Sequence, residues 1–346
     1  MQKRRPRQVD VARHAGVSPA LVSLVLNDKT GEKIRISAQT TARVKASIRE
    51  LGYMPNPMAR SLATGQNRIL GVFTYESVFP VQTESFYFPQ LVGIEDESVA
   101  QDYDLLLFTR SRHHGGKRSV YRDSVNQLLM ADGAILFGRD PVRDDVERLV
   151  DEGYPFVSIG RMDVAGAVSY VAAEYAGATH EVVEHIAAHG HRAIAYLGAP
   201  DRATSYTDRE RGFRAAHEVL ELPLDEARML FLDPEALRSE VLDRLLDAGT
   251  TAIVCEHHRL AVALVRVARE RGLFAPQSFS LALLGEHPRV ADTLANCTTF
   301  RIPLYEMGVQ AVKMLVDRLD GTTTVAQQKT LPCDFVPGHT VAEAPR

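Results

Sequence analysis

From residue 8 to residue 51 the apolar positions recur every three or four residues, the period of short amphipathic helices. Val9, Ala12 and Ala15 share one face with Val11 beside them, which predicts a helix over Gln8–Ala15 that stops before Gly16. Ser18 is placed as an N-cap and Pro19 at the first helical position, where a missing N–H costs nothing. Leu21, Val22, Val25 and Leu26 continue that second helix to about Asn27. A third starts at the Ser37 cap, runs through Thr41, Val44, Ile48 and Leu51, and ends at Gly52. Two short helices joined by a glycine-containing turn form a helix-turn-helix, and the third closes a small core over them. Pro55 then ends helix at Met54, and Asn56-Pro57 restarts a very short one through Leu62. A helix of that length is unstable alone in water, so it is a candidate hinge that orders on a surface or partner.

Beyond Arg68 the pattern changes to apolar runs of four to six residues separated by helical periods. Strands are expected at Ile69–Phe73, Tyr103–Phe108, Gly133–Phe137 and Phe156–Ile159, with helices over 89–101, Tyr121–Met130 and Asp144–Glu152. The alternation restarts with helix 176–189, strand 193–197, helix 208–220, strand 229–232 and helix 234–247. Strand 252–255, helix 260–272, strand 280–284, helix 304–319 and a last strand over Lys329–Phe335 complete it. Strand–helix alternation means parallel sheet with right-handed crossovers, and two serial units mean two lobes with a cleft between them. Ligands in such folds sit beyond the carboxyl ends of the strands.

Composition sharpens this only when it is divided. The whole chain is ordinary, with 45% apolar and 24% charged residues and a formal net charge of −4, which excludes disordered and fibrous classes. Residues 1–66, however, carry 12 Lys/Arg against 4 Asp/Glu, a net of +8, and the remaining 280 residues a net of −12. A basic head on an acidic body suggests a polyanion as partner of the head. No apolar run approaches the ~20 residues of a membrane span, and none follows the basic N-terminus as in a secretory signal. Three scattered cysteines (Cys255, Cys297, Cys333) without a CxxC fit neither a disulfide framework nor a zinc site, and suit a reducing cytoplasm.

The runs Val9-Asp10-Val11-Ala12-Arg13-His14-Ala15-Gly16-Val17-Ser18, Val22-Ser23-Leu24-Val25-Leu26-Asn27 and Ile48-Arg49-Glu50-Leu51-Gly52-Tyr53-Met54-Pro55-Asn56-Pro57, followed by Ala59-Arg60-Ser61-Leu62, resemble the LacI (lactose-repressor) family of bacterial transcription regulators. The resemblance implies an α/β fold class: an N-terminal three-helix DNA-binding domain plus a two-lobed periplasmic-binding-protein-like α/β core. It implies domains at 1–55, a hinge at 56–67, a first lobe from 68–170 with 299–325, and a second from 171–298 with 326–346, the chain crossing between lobes three times. Pro19, Ala20 and Leu24 fall where family members place base readers of the second helix. Ser18, Asn27, Ser37, Tyr53 and Asn56 fall where they contact phosphates, Ala59 belongs to the same DNA-contacting set, and Leu62 falls where a leucine wedges into the minor groove. An apolar wedge unstacks one base step and kinks the duplex. The implied protein is a repressor acting as a homodimer, or a tetramer, on a pseudo-palindromic operator, without membrane contact.

Two departures concern the head. Leu24 stands where the family often has Arg or His, so thymine methyls, the hinge or DNA shape must supply specificity. The stretch Asp28–Arg35 is longer than usual; its Lys29, Lys33 and Arg35 either touch phosphate or lie on a solvated loop.

In the body, the resemblance places an effector pocket at Phe86, Tyr87, Arg161, Arg209, His257, His258 and Glu286, and implies a small-molecule, carbohydrate-related effector. Glu256-His257-His258 and Gly285-Glu286 replace the family's usual amide and acidic pairs, so a plain sugar loses two partners. A sugar acid or phosphosugar is one consequence; a degenerate pocket on a ligand-independent regulator is the other. Adjacent histidines diverge and make a poor metal pair, so no metal and no cofactor is expected. The chain lacks GxGxxG after its first strand, GxxxxGK[ST], GxSxG and HExxH, which speaks against an enzyme. A transport solute-binding protein would need a signal peptide and no basic head.

Overall fold

The computed structural model describes residues 6–26, 36–54, 66–76, 86–109, 113–114, 117–139, 141–164, 166–286 and 294–345. They form two compact units, 1–67 and 68–346. Asn27, the stretch 28–35, and Asn56, Ala59 and Leu62 of the expected hinge helix lie outside the described residues.

In the first unit, helices α1 (Gln8–Ala15), α2 (Pro19–Leu26) and α3 (Ala38–Leu51) surround a core of Val11, Ala12, Ala15, Val22, Val25 and Val44. The α1 stripe is Val11, Ala12, Ala15, spaced one and then three residues, which leaves Val9 outside at 51% exposure rather than on the buried face. The path bends by 104° between α1 and α2, within the range of a helix-turn-helix. Gln8 Nε2 donates to Pro19 O at 2.9 Å and ties the two helices at the bend.

The second unit holds two parallel sheets. Strands β1 (Ile69–Thr74), β2 (Asp104–Leu107), β3 (Gly133–Phe137), β4 (Phe156–Ile159), β5 (Tyr170–Ala173) and β11 (Gln328–Leu331) form the first, in the order β11-β5-β4-β3-β1-β2. Helices α4 (Phe88–Ala100), α5 (Arg143–Asp151) and α10 (Leu304–Leu319) accompany it. The second sheet contains β6 (Ile194–Gly198), β7 (Met229–Phe231), β8 (Ala252–Cys255) and β9 (Ser280–Leu283), in the order β7-β6-β8-β9. It carries α6 (Tyr175–Ala188), α7 (Thr204–Val219), α8 (Ser239–Asp247) and α9 (His258–Glu270). Strands β10 (Thr299–Arg301) and β12 (Asp334–Val336) form a separate antiparallel pair. The near-continuous burial of β1, β3, β4, β6, β8 and β9 is what a parallel sheet covered on both faces requires.

The structure corrects three expectations. Residues Tyr121–Met130 are not a helix: Tyr121 pairs with Asn126 in a tight hairpin, Asp123 and Ser124 take positive φ, and only Gln127–Met130 coil into a 3₁₀ turn. The cause lies outside the segment, because the Asp145 carboxylate accepts Ser119 Oγ at 2.9 Å and Val120 N at 2.8 Å and anchors the approach to the hairpin. The expected strand Lys329–Phe335 is two strands in two different sheets; Pro332, which cannot donate to a ladder, stands at the switch. Consequently β5 and β11 belong to the first sheet, so the lobe crossings fall near 174 and 332 rather than at 170/171 and 325/326.

Candidate functional site

The first unit presents its chemistry at the start of α2. Val22 and Val25 are buried, while Ser18, Pro19 and Ala20 are exposed and Leu24 is half-buried. Ser18 Oγ accepts Leu21 N at 3.2 Å and Ser37 Oγ accepts Thr40 N at 3.1 Å, so both hydroxyls cap helices; Ser37 Oγ also shares a 2.8 Å hydrogen bond with Thr40 Oγ1. Tyr53 is half-buried against the core. An uncovered helix N-terminus carries the positive end of the helix dipole and is suited to an anionic backbone.

The second unit encloses a cleft of about 1660 Å³ between the two sheets, at the carboxyl ends of β1, β3, β4, β6, β8 and β9. All seven candidates, Phe86, Tyr87, Arg161, Arg209, His257, His258 and Glu286, line it. Phe86 is 44% exposed and meets Tyr87 edge-on at 5.3 Å, while Tyr87 lies 5.1 Å from Phe137. The Tyr87 hydroxyl donates to Glu76, which also accepts Arg139 Nε at 2.8 Å.

Among the described residues, two arginines of the first lobe reach α7 of the second. Arg139, just past β3, donates through Nη1 to the Tyr206 hydroxyl on α7 at 2.7 Å. Arg161, just past β4, donates to Asp208 Oδ1 on α7 at 2.9 Å and also pairs with Asp163, while its carbonyl accepts Thr204 Oγ1 at 2.9 Å. Arg161 is thus committed to carboxylates of the protein.

Arg209 is 6% exposed. Its Nε donates to Leu284 O at 2.7 Å and its Nη1 to Ser205 O at 2.8 Å. The guanidinium lies 4.0 Å from the centre of the Tyr175 ring, a cation–π contact. Glu256 is wholly buried, accepting the Tyr196 hydroxyl at 2.5 Å and Ala199 N at 2.7 Å; burial pushes its carboxyl above the usual range against the pull of those bonds. Glu286 Oε1 accepts Ile302 N at 3.1 Å, on the segment returning to the first lobe.

His257 precedes α9 and stacks on Tyr206 with ring centres 5.8 Å apart and planes 28° apart. Burial first, then His258 and the neighbouring arginines, pushes its pKa down to about 3, so the imidazole is neutral in the folded cleft. Its ordinary value is 6.5, so the folded state holds fewer protons than the unfolded chain between these limits. His257 therefore contributes stability that is complete above pH 6.5 and is lost as pH falls toward 3. In urea titrations, His257→Gln should lose less stability than the wild type between pH 7 and 4.5, by on the order of 2 kcal/mol. Parallel pH profiles would remove this assignment.

The sequence did not single out Arg139, Glu76, Tyr206 or Asp208. A signal existed for three of them: Glu76 and Arg139 follow apolar strand runs, at the ends that face a cleft, and Tyr206 lies three residues before Arg209 on the same helix. Among the described residues no group of three or more His, Cys, Asp or Glu is arranged to hold a metal ion.

A helix-turn-helix head together with a two-lobed, cleft-bearing α/β body defines a class, the DNA-binding transcriptional regulators of bacteria, and comparison with known proteins agrees. Residues 9–56 match the model described as bacterial regulatory proteins, lacI family, and residues 183–341 the model described as periplasmic binding protein-like domain. The HTH-type transcriptional regulator CelR of Thermobifida fusca is 28% identical over 335 residues, 93% of this chain and 94% of that protein. A solved CelR–cellobiose complex aligns with TM-score 0.66 and 25% identity over 97% of this chain and 100% of its own. The lac repressor dimer bound to operator and the anti-inducer ONPF shares the fold, with TM-score 0.74 and 21% identity over 98% of this chain and 100% of its own. Residues 9–56 thus match the DNA-binding domain of the lacI family, and the chain as a whole is similar to regulators of the LacI family. Its members are transcription regulators that bind DNA, not enzymes.

Proposed function

We propose that this protein is a transcriptional repressor that binds a pseudo-palindromic operator as a homodimer in the bacterial cytoplasm, with an affinity set by a carbohydrate-related molecule in the cleft of residues 68–346. The uncovered start of α2 carries the DNA half of this reading: Ser18, Pro19 and Ala20 stand free while the rest of the helix is packed. Pro19, Ala20 and Leu24 read the major groove by apolar contact, and Ser18, Asn27, Ser37, Tyr53 and Asn56 hold phosphates. Two-fold symmetry of a dimer is mirrored in paired half-sites. Leu62 wedges the central step, and Ala59 belongs to the same DNA-contacting set. The cleft half is supported by the convergence of Phe86, Tyr87, Arg209, His257, His258 and Glu286 on one cavity, and by the cellobiose in the CelR complex.

Selection from a random DNA pool with the full chain tests the DNA half. The expected product is an inverted repeat; an unenriched pool would overturn it. On the selected operator, Leu62→Ala should weaken binding at least ~10-fold, the order of a lost unstacking wedge of about 1.4 kcal/mol or more. Unchanged affinity in a gel-shift titration would remove the wedge from the reading.

A further inference from the structure

Two neighbouring strands end in the same dipeptide. The chain leaves β3 as Phe137-Gly138-Arg139 and leaves β4 as Ile159-Gly160-Arg161. Phe137 and Ile159 are register partners in this parallel pair, so the two Gly-Arg steps stand level, one strand apart. Both glycines hold a positive φ, +120° at Gly138 and +101° at Gly160, which side chains rarely adopt. Each turn thus carries an arginine off the end of its strand, and both arginines go to the same place, the start of α7 in the other lobe.

The contacts there are specific. Arg139 Nη1 donates to the Tyr206 hydroxyl at 2.7 Å, and Arg161 Nη2 donates to Asp208 Oδ1 at 2.9 Å. Thr204 Oγ1 returns a bond to Arg161 O at 2.9 Å. Their acceptors are enclosed, since Tyr206 is buried and the Asp208 side chain is 11% exposed. Salt screens such a pair poorly, and breaking it strands a charge. Both flanks of the contact also reach the cleft. Glu76 accepts Arg139 Nε at 2.8 Å and accepts the Tyr87 hydroxyl as well, while the Tyr206 ring stacks on His257.

We propose that the paired Gly-Arg steps are a latch between the lobes. They fasten α7 to the first lobe with the chain's own groups, need no ligand to do so, and set the operator affinity from which a ligand departs. The last clause rests on the reading of the chain as an operator-binding regulator; the latch itself does not. The chain crossings near 174 and 332 are points about which the lobes pivot, and the latch opposes that pivot. A ligand then changes operator affinity by contacting the latched and released arrangements differently, and Tyr87 and His257 put such contacts next to Arg139 and Tyr206.

The test is a distance between lobes in the full-length protein without ligand. Spin labels on unnatural ketone residues replace the exposed Asp151 on α5 and Val219 on α7, which leaves the native cysteines untouched. The labelled chain is diluted into unlabelled chain, so that pulsed electron resonance reads pairs within one chain. The wild type should give one narrow distance. Tyr206→Phe/Asp208→Ala removes both acceptors and keeps residues that suit a helix; it should give a longer, broader distribution. Arg211→Ala removes the partner that Asp208 has on its own helix, at 3.0 Å, and should leave the distance as in the wild type. Circular dichroism checks the folding of both. A broad wild-type distribution, an unchanged one in the double variant, or an equal opening by Arg211→Ala would each overturn the latch. On the selected operator, the double variant should shift ligand-free affinity by at least ~10-fold, the scale of one lost charge-assisted contact. Opened lobes with unchanged operator affinity would overturn the regulatory role and leave a purely structural contact. Absence of any specific operator would overturn the regulator reading, while the distances still decide the latch.

Discussion

Gly308→Val is expected to destabilise residues 68–346 by more than ~3 kcal/mol in urea unfolding, a value at the severe end for single substitutions. Helices α4 and α10 cross so closely that a Cβ on Gly308 would sit 2.3 Å from Gln90 O and 2.9 Å from Ile94 N. The contact is reciprocal, since a Cβ on Gly93 would lie 2.1 Å from Tyr305 O. These are backbone atoms, so no rotamer change relieves the clash and the helices must separate. Separation strips contacts from Ile94 on one helix and from Leu304, Met307, Ala311, Val312 and Leu315 on the other, all buried in the same core. Because α10 also packs on β3, β4 and β5, the effect spreads into the sheet that carries Arg139 and Arg161. Val325→Ala, at a site 73% exposed, should change stability by less than ~0.5 kcal/mol and serves as the control. A Gly308→Val protein within ~1 kcal/mol of the wild type would show that the close crossing is dispensable.

Operator affinity should fall by roughly 10³-fold between ~50 and ~200 mM salt, as for a protein neutralising about six phosphates. The net charge of +8 over residues 1–66 is large enough to supply such contacts, whereas the net −12 of the remainder opposes them. The expected slope of log affinity against log salt is about −5, measured by fluorescence anisotropy on the selected duplex. Neutralising one phosphate-contacting Lys or Arg should reduce that slope by about 1 and weaken all sequences alike. A flat dependence would contradict DNA binding by the basic head. The ligand of the cleft should move the whole salt curve without changing its slope, because it adds no phosphate contact.

Legibility followed the range of the interactions. The caps at Ser18 and Ser37 and the stop at Gly52 act within four residues, and those boundaries stand where the sequence places them. Val9 is the small exception in that segment, since periodicity alone does not say which edge of an apolar stripe the neighbouring helices will cover. The hairpin and 3₁₀ turn over Tyr121–Met130 were illegible for another reason: the apolar spacing suits a helix, but Asp145, 25 and 26 residues from Val120 and Ser119, holds that backbone and side chain. Pro332 was visible in the sequence, yet only the sheet order shows that the chain changes lobes there.

The cleft divides in the same way. Its seven candidate residues were nameable from resemblance, and all of them reach one cavity. Their electrical roles were not nameable. Arg161 and Arg209 look alike in sequence, each an arginine near an aspartate. In the structure Arg161 is neutralised by Asp208, 47 positions away, while Arg209 is spent on Leu284 O, 75 positions away. Arg139 meets Tyr206 across 67 positions and joins the lobes. Sequence by itself determined the helices of the head, the alternation of the body and the division of charge between them, because periods, caps and composition are local. Tertiary structure decided which partner each charge takes, because Coulomb pairing and burial depend on neighbours that only the folded sheets bring together.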